Sequence, residues 1–285
     1  MPTRTWFITG ATAGLGLELT RQLLRRGERV AATGRRLEQL TELADSHPDQ
    51  LWPAALDVTD TAAIRRVVAE AVDRFGRLDV VVSNAGFGVL GAAEEISDEL
   101  LNRQLAVNLI GPIQLARAVI PQLRAQGGGR IVQLSSTGGQ VGDPGMSLYN
   151  ASKFGIEGFY ESAAVELAPF GIEVTLVEPG GARTDFNRNL VLAQPIPAYD
   201  EGIVGQLRGM LTAHPDLVRK AVTGDPAKIA AAVINSVDTN PAPRRLVLGG
   251  NAYQAITGAL RERLAAVEAQ RDLARQIDAD DVTVG

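Results

Sequence analysis

The sequence predicts an α/β domain built on one doubly wound parallel sheet of about seven strands, with helices on both faces. Three observations carry this. Short apolar runs alternate with longer amphipathic segments along most of the 285 residues. The runs are apolar throughout rather than alternating, as strands covered on both faces should be. The composition, 45% hydrophobic and 21% charged, is that of a packed globular chain.

The first strand, "RTWFIT" (4–9), passes through a glycine loop into a helix over 15–26. Strand "RVAAT" (29–33), helix 37–46, strand "LWPAAL" (51–56), helix 60–75 and strand "LDVVVS" (78–83) follow. A long helix over 98–125, strand "GRIVQLS" (129–135), helix 148–169 and strand "IEVTLVE" (172–178) continue the alternation. Helix 226–239, strand "RRLVLG" (244–249) and a helix over 252–276 complete it. Repeated β-α order implies parallel strands joined by right-handed crossovers. No linker or low-complexity tract divides the chain, so residues 1–285 read as a single domain. The order breaks only at 185–225, a Pro- and Gly-punctuated, largely apolar insertion. A loop of that length inside a compact domain is expected to cover a substrate. The tail "DADDVTVG" is expected to fray.

Several function classes are excluded. The net charge is −5, from 28 basic and 33 acidic residues, with no concentrated basic surface for nucleic acid or an anionic membrane. There is no cysteine, hence no disulfide, thiol nucleophile or thiolate metal site. His47 and His214 each adjoin a proline and read as surface turn residues, which argues against zinc and against a histidine triad. The start shows no apolar leader of signal type, and no run approaches the roughly 18–20 apolar residues of a membrane span. A soluble, cytoplasmic protein is expected.

Two patterns carry chemistry. "TGATAGLG" (9–16) joins a predicted strand to a predicted helix, with Gly10, Gly14 and Gly16 at the junction. Glycines there permit a tight turn, close approach of backbone to a pyrophosphate, and close helix–strand packing. The helix N-terminus then faces the phosphates with free amides. Farther along, "SLYNASKFG" (147–155) sets Tyr149 and Lys153 at i and i+4, on one helix face. An ammonium held close to a phenol favours the phenolate and lowers its pKa from about 10.

The G-x-x-x-G-x-G spacing, with the threonine before it, resembles the short-chain dehydrogenase/reductase family, over nearly the whole chain. The overall pattern is similar to the branch of hydroxysteroid and retinol dehydrogenases and bacterial carbonyl reductases. The resemblance implies a Rossmann-type fold and a nicotinamide cofactor. It places Gly10, Thr12, Gly14, Leu15 and Gly16 on that cofactor, with Asp57 and Val58 of "DVTD" bordering the adenine. Asn84, Ala85 and Gly86 of "NAG" would support the sheet and the adenosine ribose, and Pro179, Gly180 and Thr184 of "PGGART" the nicotinamide end. Gly34 stands where the family's NAD-binding acidic residue falls, followed by Arg35 and Arg36. Arginine suits a ribose 2′-phosphate, so NADP(H) is expected over NAD(H). Ala13 departs from the basic residue that many NADP-dependent relatives carry in the loop.

The resemblance also implies a catalytic set of Asn108, Ser136, Tyr149 and Lys153, with Ser135 the adjacent alternative to Ser136. Tyr149 would be the general acid or base, Ser136 would hold the substrate oxygen, and Lys153 would lower the tyrosine pKa and hold the nicotinamide ribose. Asn108 would hold a water leading to Lys153. The expected function is NADPH-dependent interconversion of an apolar ketone or aldehyde and its alcohol. The alternatives are a non-catalytic NADP(H)-sensing protein, whose kind typically lacks the tyrosine–lysine pair, and an extended-branch sugar-nucleotide enzyme, which usually differs in glycine spacing. Surplus apolar surface on helices 98–125 and 148–169 matches the family's dimer interface and predicts a homodimer or homotetramer.

Overall fold

The computed structural model describes residues 3–277 and Ala279. The chain runs β1 (Thr5–Ile8), α1 (Gly14–Arg25), β2 (Arg29–Gly34), α2 (Glu38–Ser46), β3 (Leu51–Ala55), α3 (Thr61–Phe75) and β4 (Val80–Ser83). It continues through β5 (Val89–Leu90), α4 (Asp98–Leu105), a π-helical turn (Ala106–Ile110), α5 (Gly111–Ala125), β6 (Gly129–Leu134), α6 (Ser147–Leu167) and β7 (Ile172–Pro179). Last come β8 (Val191–Leu192), α7 (Ile203–Ala213), α8 (Pro215–Ala221), α9 (Pro226–Val237), β9 (Arg245–Leu248), α10 (Gly250–Glu268) and α11 (Arg271–Arg275).

Seven strands form one parallel sheet in the order β3-β2-β1-β4-β6-β7-β9. β1 and β4 are buried along their whole length, because helices cover both faces. One apolar cluster packs α3, α5 and α6 on one face through residues such as Val67, Leu115 and Ile156. The other packs α1 and α9 on the opposite face through Leu19, Leu23 and Val233. The strand order reverses between β1 and β4, and the crevice beyond their carboxyl ends is where an open α/β sheet binds ligands.

The structure departs from the sequence reading in three places. The expected helix over 98–125 is not uniform: a π-helical turn at Ala106–Ile110 separates α4 from α5. Pro112 explains it, since it has no N–H for the Asn108 carbonyl and its ring crowds that oxygen. The chain accommodates this with a wider turn, in which the Gly111 amide bonds to Ala106. The expected helix over 252–276 divides at Ala269–Gln270, where every side chain is exposed and no packing enforces continuity. The expected fraying of 278–285 falls, apart from Ala279, outside the described residues.

The insertion at 185–225 is the third. It contains β8, α7 and α8 rather than open loop. β8 pairs in parallel with β5, Val89 against Val191 and Leu90 against Leu192. Glu95 fastens the insertion to the core. One oxygen accepts the Ile196 amide at 2.8 Å, the other the Ala92 amide at 2.7 Å, and Arg208 bridges both at 2.6 Å. Burial pushes the Glu95 carboxyl up, but the two amides and Arg208 outweigh it and hold the group below the usual range.

Candidate active site

The glycine loop leaves β1 and enters α1. Gly10 takes φ +66°, in the left-handed region glycine favours. A Cβ on Gly16 would lie 2.6 Å from Asn84 Nδ2, so loop and helix touch only because none is there. Asn84 holds the loop, its Nδ2 donating to the Thr9 and Gly10 carbonyls at 2.9 and 3.1 Å. The α1 N-terminus has no side-chain cap and no acidic residue in its first turn, so its amides are open to an anion. This cradle fits the pyrophosphate of a dinucleotide.

The other predicted cofactor residues gather at the same edge. Arg35 and Arg36 follow β2 and are exposed. Asp57 follows β3, accepting from the Thr59 amide at 2.9 Å. This hydrogen bond and the nearby Arg35 help hold the Asp57 carboxyl below its usual value. Asn84, Ala85 and Gly86 extend from β4, and Gly180 follows Pro179 at the end of β7. Thr184 crosses back over the glycine loop: a Cβ on Gly14 would stand 3.6 Å from the Thr184 Cβ.

Tyr149 and Lys153 lie one turn apart on α6, both buried. Lys153 Nζ donates to the Leu134 carbonyl at 2.8 Å and lies 5.7 Å from the centre of the Tyr149 ring. Ser136 caps the turn after β6, accepting the Gly138 amide at 3.1 Å, and this turn abuts Tyr149: a Cβ on Gly138 would stand 3.1 Å from the ring, and Ser136 draws the phenol's pKa down. Ser135 points elsewhere and donates to Glu157. Of the two candidate serines, Ser136 is therefore the one beside the tyrosine.

Asn108 sits in the π-helical turn. Its Oδ1 accepts the Phe87 amide at 3.1 Å, and its Nδ2 donates to the Phe87 carbonyl at 2.8 Å and to Ser152 Oγ at 3.2 Å. All its side-chain donors and one acceptor face are occupied by protein. Pro112, four residues on, offers no N–H to the Asn108 backbone carbonyl. Sequence reasoning missed Phe87 and Ser152. It also missed Phe186, whose ring lies 5.7 Å from that of Tyr149 and comes from the insertion.

The electrostatics correct one expectation. Lysine was expected to lower the Tyr149 pKa. Burial instead pushes the phenol up to about 12, against a hydrogen bond from Ser136 and with a smaller upward push from Asp143. Burial also drives Lys153 down to about 8, opposed by Glu157. Desolvation is the largest influence on both groups, and the ammonium donates to the Leu134 carbonyl at 2.8 Å.

Under the insertion lies a cavity of about 190 Å³. Leu190, Leu192, Leu211 and Val218 wall it, and Arg183, Arg188 and Arg219 line it as well. The cover expected to be largely apolar is thus of mixed character. Tyr149 lies outside the lining, so this cavity alone does not mark the chemistry.

The model of the short chain dehydrogenase family matches residues 4–195. The chain belongs to the short-chain dehydrogenase/reductase family. This short-chain dehydrogenase is 36% identical over 275 residues to the oxidoreductase BOA17 of Botryotinia fuckeliana, covering 95% of this chain and 98% of that one. It is 33% identical over 244 residues to human 17-beta-hydroxysteroid dehydrogenase type 1, covering 81% of this chain and 73% of the relative. The crystal structure of a short-chain dehydrogenase from Streptomyces avermitilis superposes with a TM-score of 0.89 at 38% identity, covering 98% of this chain and 100% of that one. No helix among the described residues of this short-chain dehydrogenase is long and apolar enough to cross a membrane.

Proposed function

We propose that this protein is an NADP(H)-dependent carbonyl reductase, with Tyr149 as general acid, Ser136 as the hydrogen-bond donor to the substrate oxygen, and Lys153 and Asn108 completing the site. The observation that carries this is the convergence of Ser136, Tyr149 and Lys153 beyond the end of β6, beside a glycine cradle that fits a dinucleotide. The bound nicotinamide supplies or takes the hydride. The chain's own part is orientation and proton transfer. Ser136 holds the carbonyl oxygen near the phenol, and the Tyr149 hydroxyl delivers its proton there. Lys153 holds positive charge below the site. The Asn108 carbonyl receives the water through which the proton is replaced.

NADP(H) is favoured by the end of β2. A Cβ on residue 34 would stand 2.5 Å from Thr12 Cγ2, so the acidic side chain of an NAD enzyme does not fit there unless Thr12 moves. Arg35 and Arg36 are exposed beside that point. Arg35→Ala is expected to weaken NADPH binding about 10–100-fold, as loss of a charge-assisted hydrogen bond does. NADH affinity should change by less than about threefold on the same scale. Titration calorimetry with both cofactors decides it, and an equal loss for the two would remove Arg35 from the phosphate.

The substrate class is an apolar carbonyl compound or secondary alcohol, and the protein works in the cytoplasm. Exposed Leu101, Ile110, Phe154 and Val165 on α4, the π-helical turn and α6 support assembly into a homodimer or homotetramer. Light scattering should then give a mass of two or four times 30.2 kDa. The function itself is tested by oxidation of NADPH over a panel of apolar ketones. Tight NADPH binding with turnover supports the reductase. Tight binding with no turnover across the panel supports a sensor.

A further inference from the structure

Three consecutive residues at the end of β6 meet three successive turns of α6. The Leu134 carbonyl accepts from Lys153 Nζ at 2.8 Å, Ser135 Oγ donates to Glu157, and the turn that Ser136 caps abuts Tyr149, where a Cβ on Gly138 would stand 3.1 Å from the ring. Tyr149, Lys153 and Glu157 are spaced i, i+4 and i+8, so they form one row on the helix. The strand end and the helix are thereby set against each other at three points. Two of the three involve the groups assigned to catalysis, and the third is Glu157.

Glu157 is built into the fold at some cost. It is a carboxylate only 2% exposed, on the buried face of α6 beside Ile156 and Tyr160. Unpaired, such a group is strongly unfavourable. Besides Ser135 it accepts from Gln140 Nε2, and Arg245 Nη1 donates to it at 2.6 Å. The backbone also makes room: a Cβ on Gly139 would stand 2.6 Å from both the Glu157 Cδ and Ser135 Oγ. Arg245, on β9, is shared with Glu161 of α6 and Glu178 of β7. Three carboxylates around one guanidinium leave the cluster with surplus negative charge. The charged group facing it along α6 is Lys153.

We propose that Glu157 is a positioning residue for the active site: it sets the register in which Ser136 meets Tyr149, and its charge holds Lys153 in the ammonium form. The second part follows from the groups around Lys153. Along α6 it faces Tyr149 and Glu157. From β6 the Leu134 carbonyl accepts from it, and a Cβ on Gly86, in the segment after β4, would stand 3.9 Å from its Nζ and 3.3 Å from Oδ1 of the neutral Asn108. Asp143 acts on Tyr149. Among the groups facing Lys153, Glu157 is the one carboxylate, and its charge favours the ammonium against the burial that drives the amine's pKa down. This inference rests on the reductase reading for its kinetic consequences and on geometry alone for its electrostatic one.

Two variants separate the two roles. Glu157→Gln keeps the shape and removes the charge. It is expected to lower kcat about tenfold with little change in KM, and to move the alkaline limb of the pH profile down by about one unit. Ser135→Ala keeps the charge and removes the register contact. It is expected to lower kcat several-fold without moving the limb. Gly139→Ala, which displaces the carboxylate, should resemble Glu157→Gln. An activity-independent readout is available because the chain has three lysines, Lys153, Lys220 and Lys228. In protein labelled with ¹⁵N at the lysine amines, the Lys153 signal (assigned with Lys153→Met) should titrate about one unit lower in Glu157→Gln. Absence of turnover with every ketone would defeat the reductase reading while leaving this titration to judge Glu157. An unmoved Lys153 titration, or wild-type kcat in Ser135→Ala, would overturn the proposal. If Glu157→Gln does not fold, Gly139→Ala and Ser135→Ala decide it in the same terms.

Discussion

Tyr149→Phe is expected to lower kcat for carbonyl reduction by about 10²–10⁴-fold, the range typical of losing a positioned general acid. That corresponds to about 3–5 kcal/mol of transition-state stabilisation. The loss should be specific to proton transfer. The ring's contact with Phe186, at 5.7 Å between centroids, does not use the hydroxyl, so the fold and NADPH affinity should survive. Ser136 cannot substitute, because an alcohol is a far weaker acid than a phenol. The raised pKa makes a further statement about direction. With burial holding the phenol at about 12, Tyr149 is protonated throughout the practical pH range and ready to act as an acid. Reduction should therefore be insensitive to Tyr149 ionisation, and its alkaline decline should fall near 8, where Lys153 loses its proton. Oxidation needs the phenolate, whose population rises about tenfold per pH unit below the pKa, so it should climb with pH. Steady-state rates in both directions over a pH series, for wild type and Tyr149→Phe, test this. A variant retaining more than about a tenth of wild-type kcat would show that the proton comes from elsewhere.

Much of this was legible in the sequence because the physics is local. Strands such as "LDVVVS" are apolar on both faces, and glycines at a strand–helix junction have few other uses. What stayed hidden depended on contacts between distant segments. The π-helical turn follows from Pro112, four residues after Asn108, which offers no N–H to that residue's carbonyl. That signal was present in the sequence, and only its consequence went unread. The structure of the insertion could not be read so simply. Its order depends on Glu95, more than a hundred residues from Arg208, and on a two-residue strand too short to show a pattern. Glu157 left a fainter mark: an acidic residue one turn beyond Lys153, on a face otherwise destined for the core. The sign of the Tyr149 shift was misjudged for a related reason. Sequence spacing places an ammonium near a phenol but carries no information on desolvation, and here desolvation is the larger effect.

Lys153→Met is expected to abolish most activity and yet stabilise the fold. Lys153 is 5% exposed, and burial lowers its pKa from 10.5 to about 8. The folded protein therefore binds this proton less tightly than the unfolded chain does. The resulting penalty is complete below about pH 8, fades as pH rises toward 10.5, and vanishes above it, where the amine is neutral in both states. At about 1.4 kcal/mol per pKa unit, the penalty near neutral pH is about 3 kcal/mol. The hydrogen bond to the Leu134 carbonyl offsets about 1 kcal/mol of it. Methionine fills a similar volume with no charge to bury. A gain of about 1–2 kcal/mol is thus expected near pH 7, or roughly 2–6 °C in Tm for a chain of this size. Near pH 10 the gain should shrink to less than half. Thermal unfolding of wild type and variant at the two pH values, with ketone reduction measured alongside, checks both halves. An equal gain at both pH values would mean that packing, not the buried ammonium, is responsible. A variant less stable than wild type near pH 7 would mean that Lys153 is held by the fold rather than imposed on it. The expected combination, lower activity with higher stability, is the signature of a charge kept for chemistry at the expense of the core.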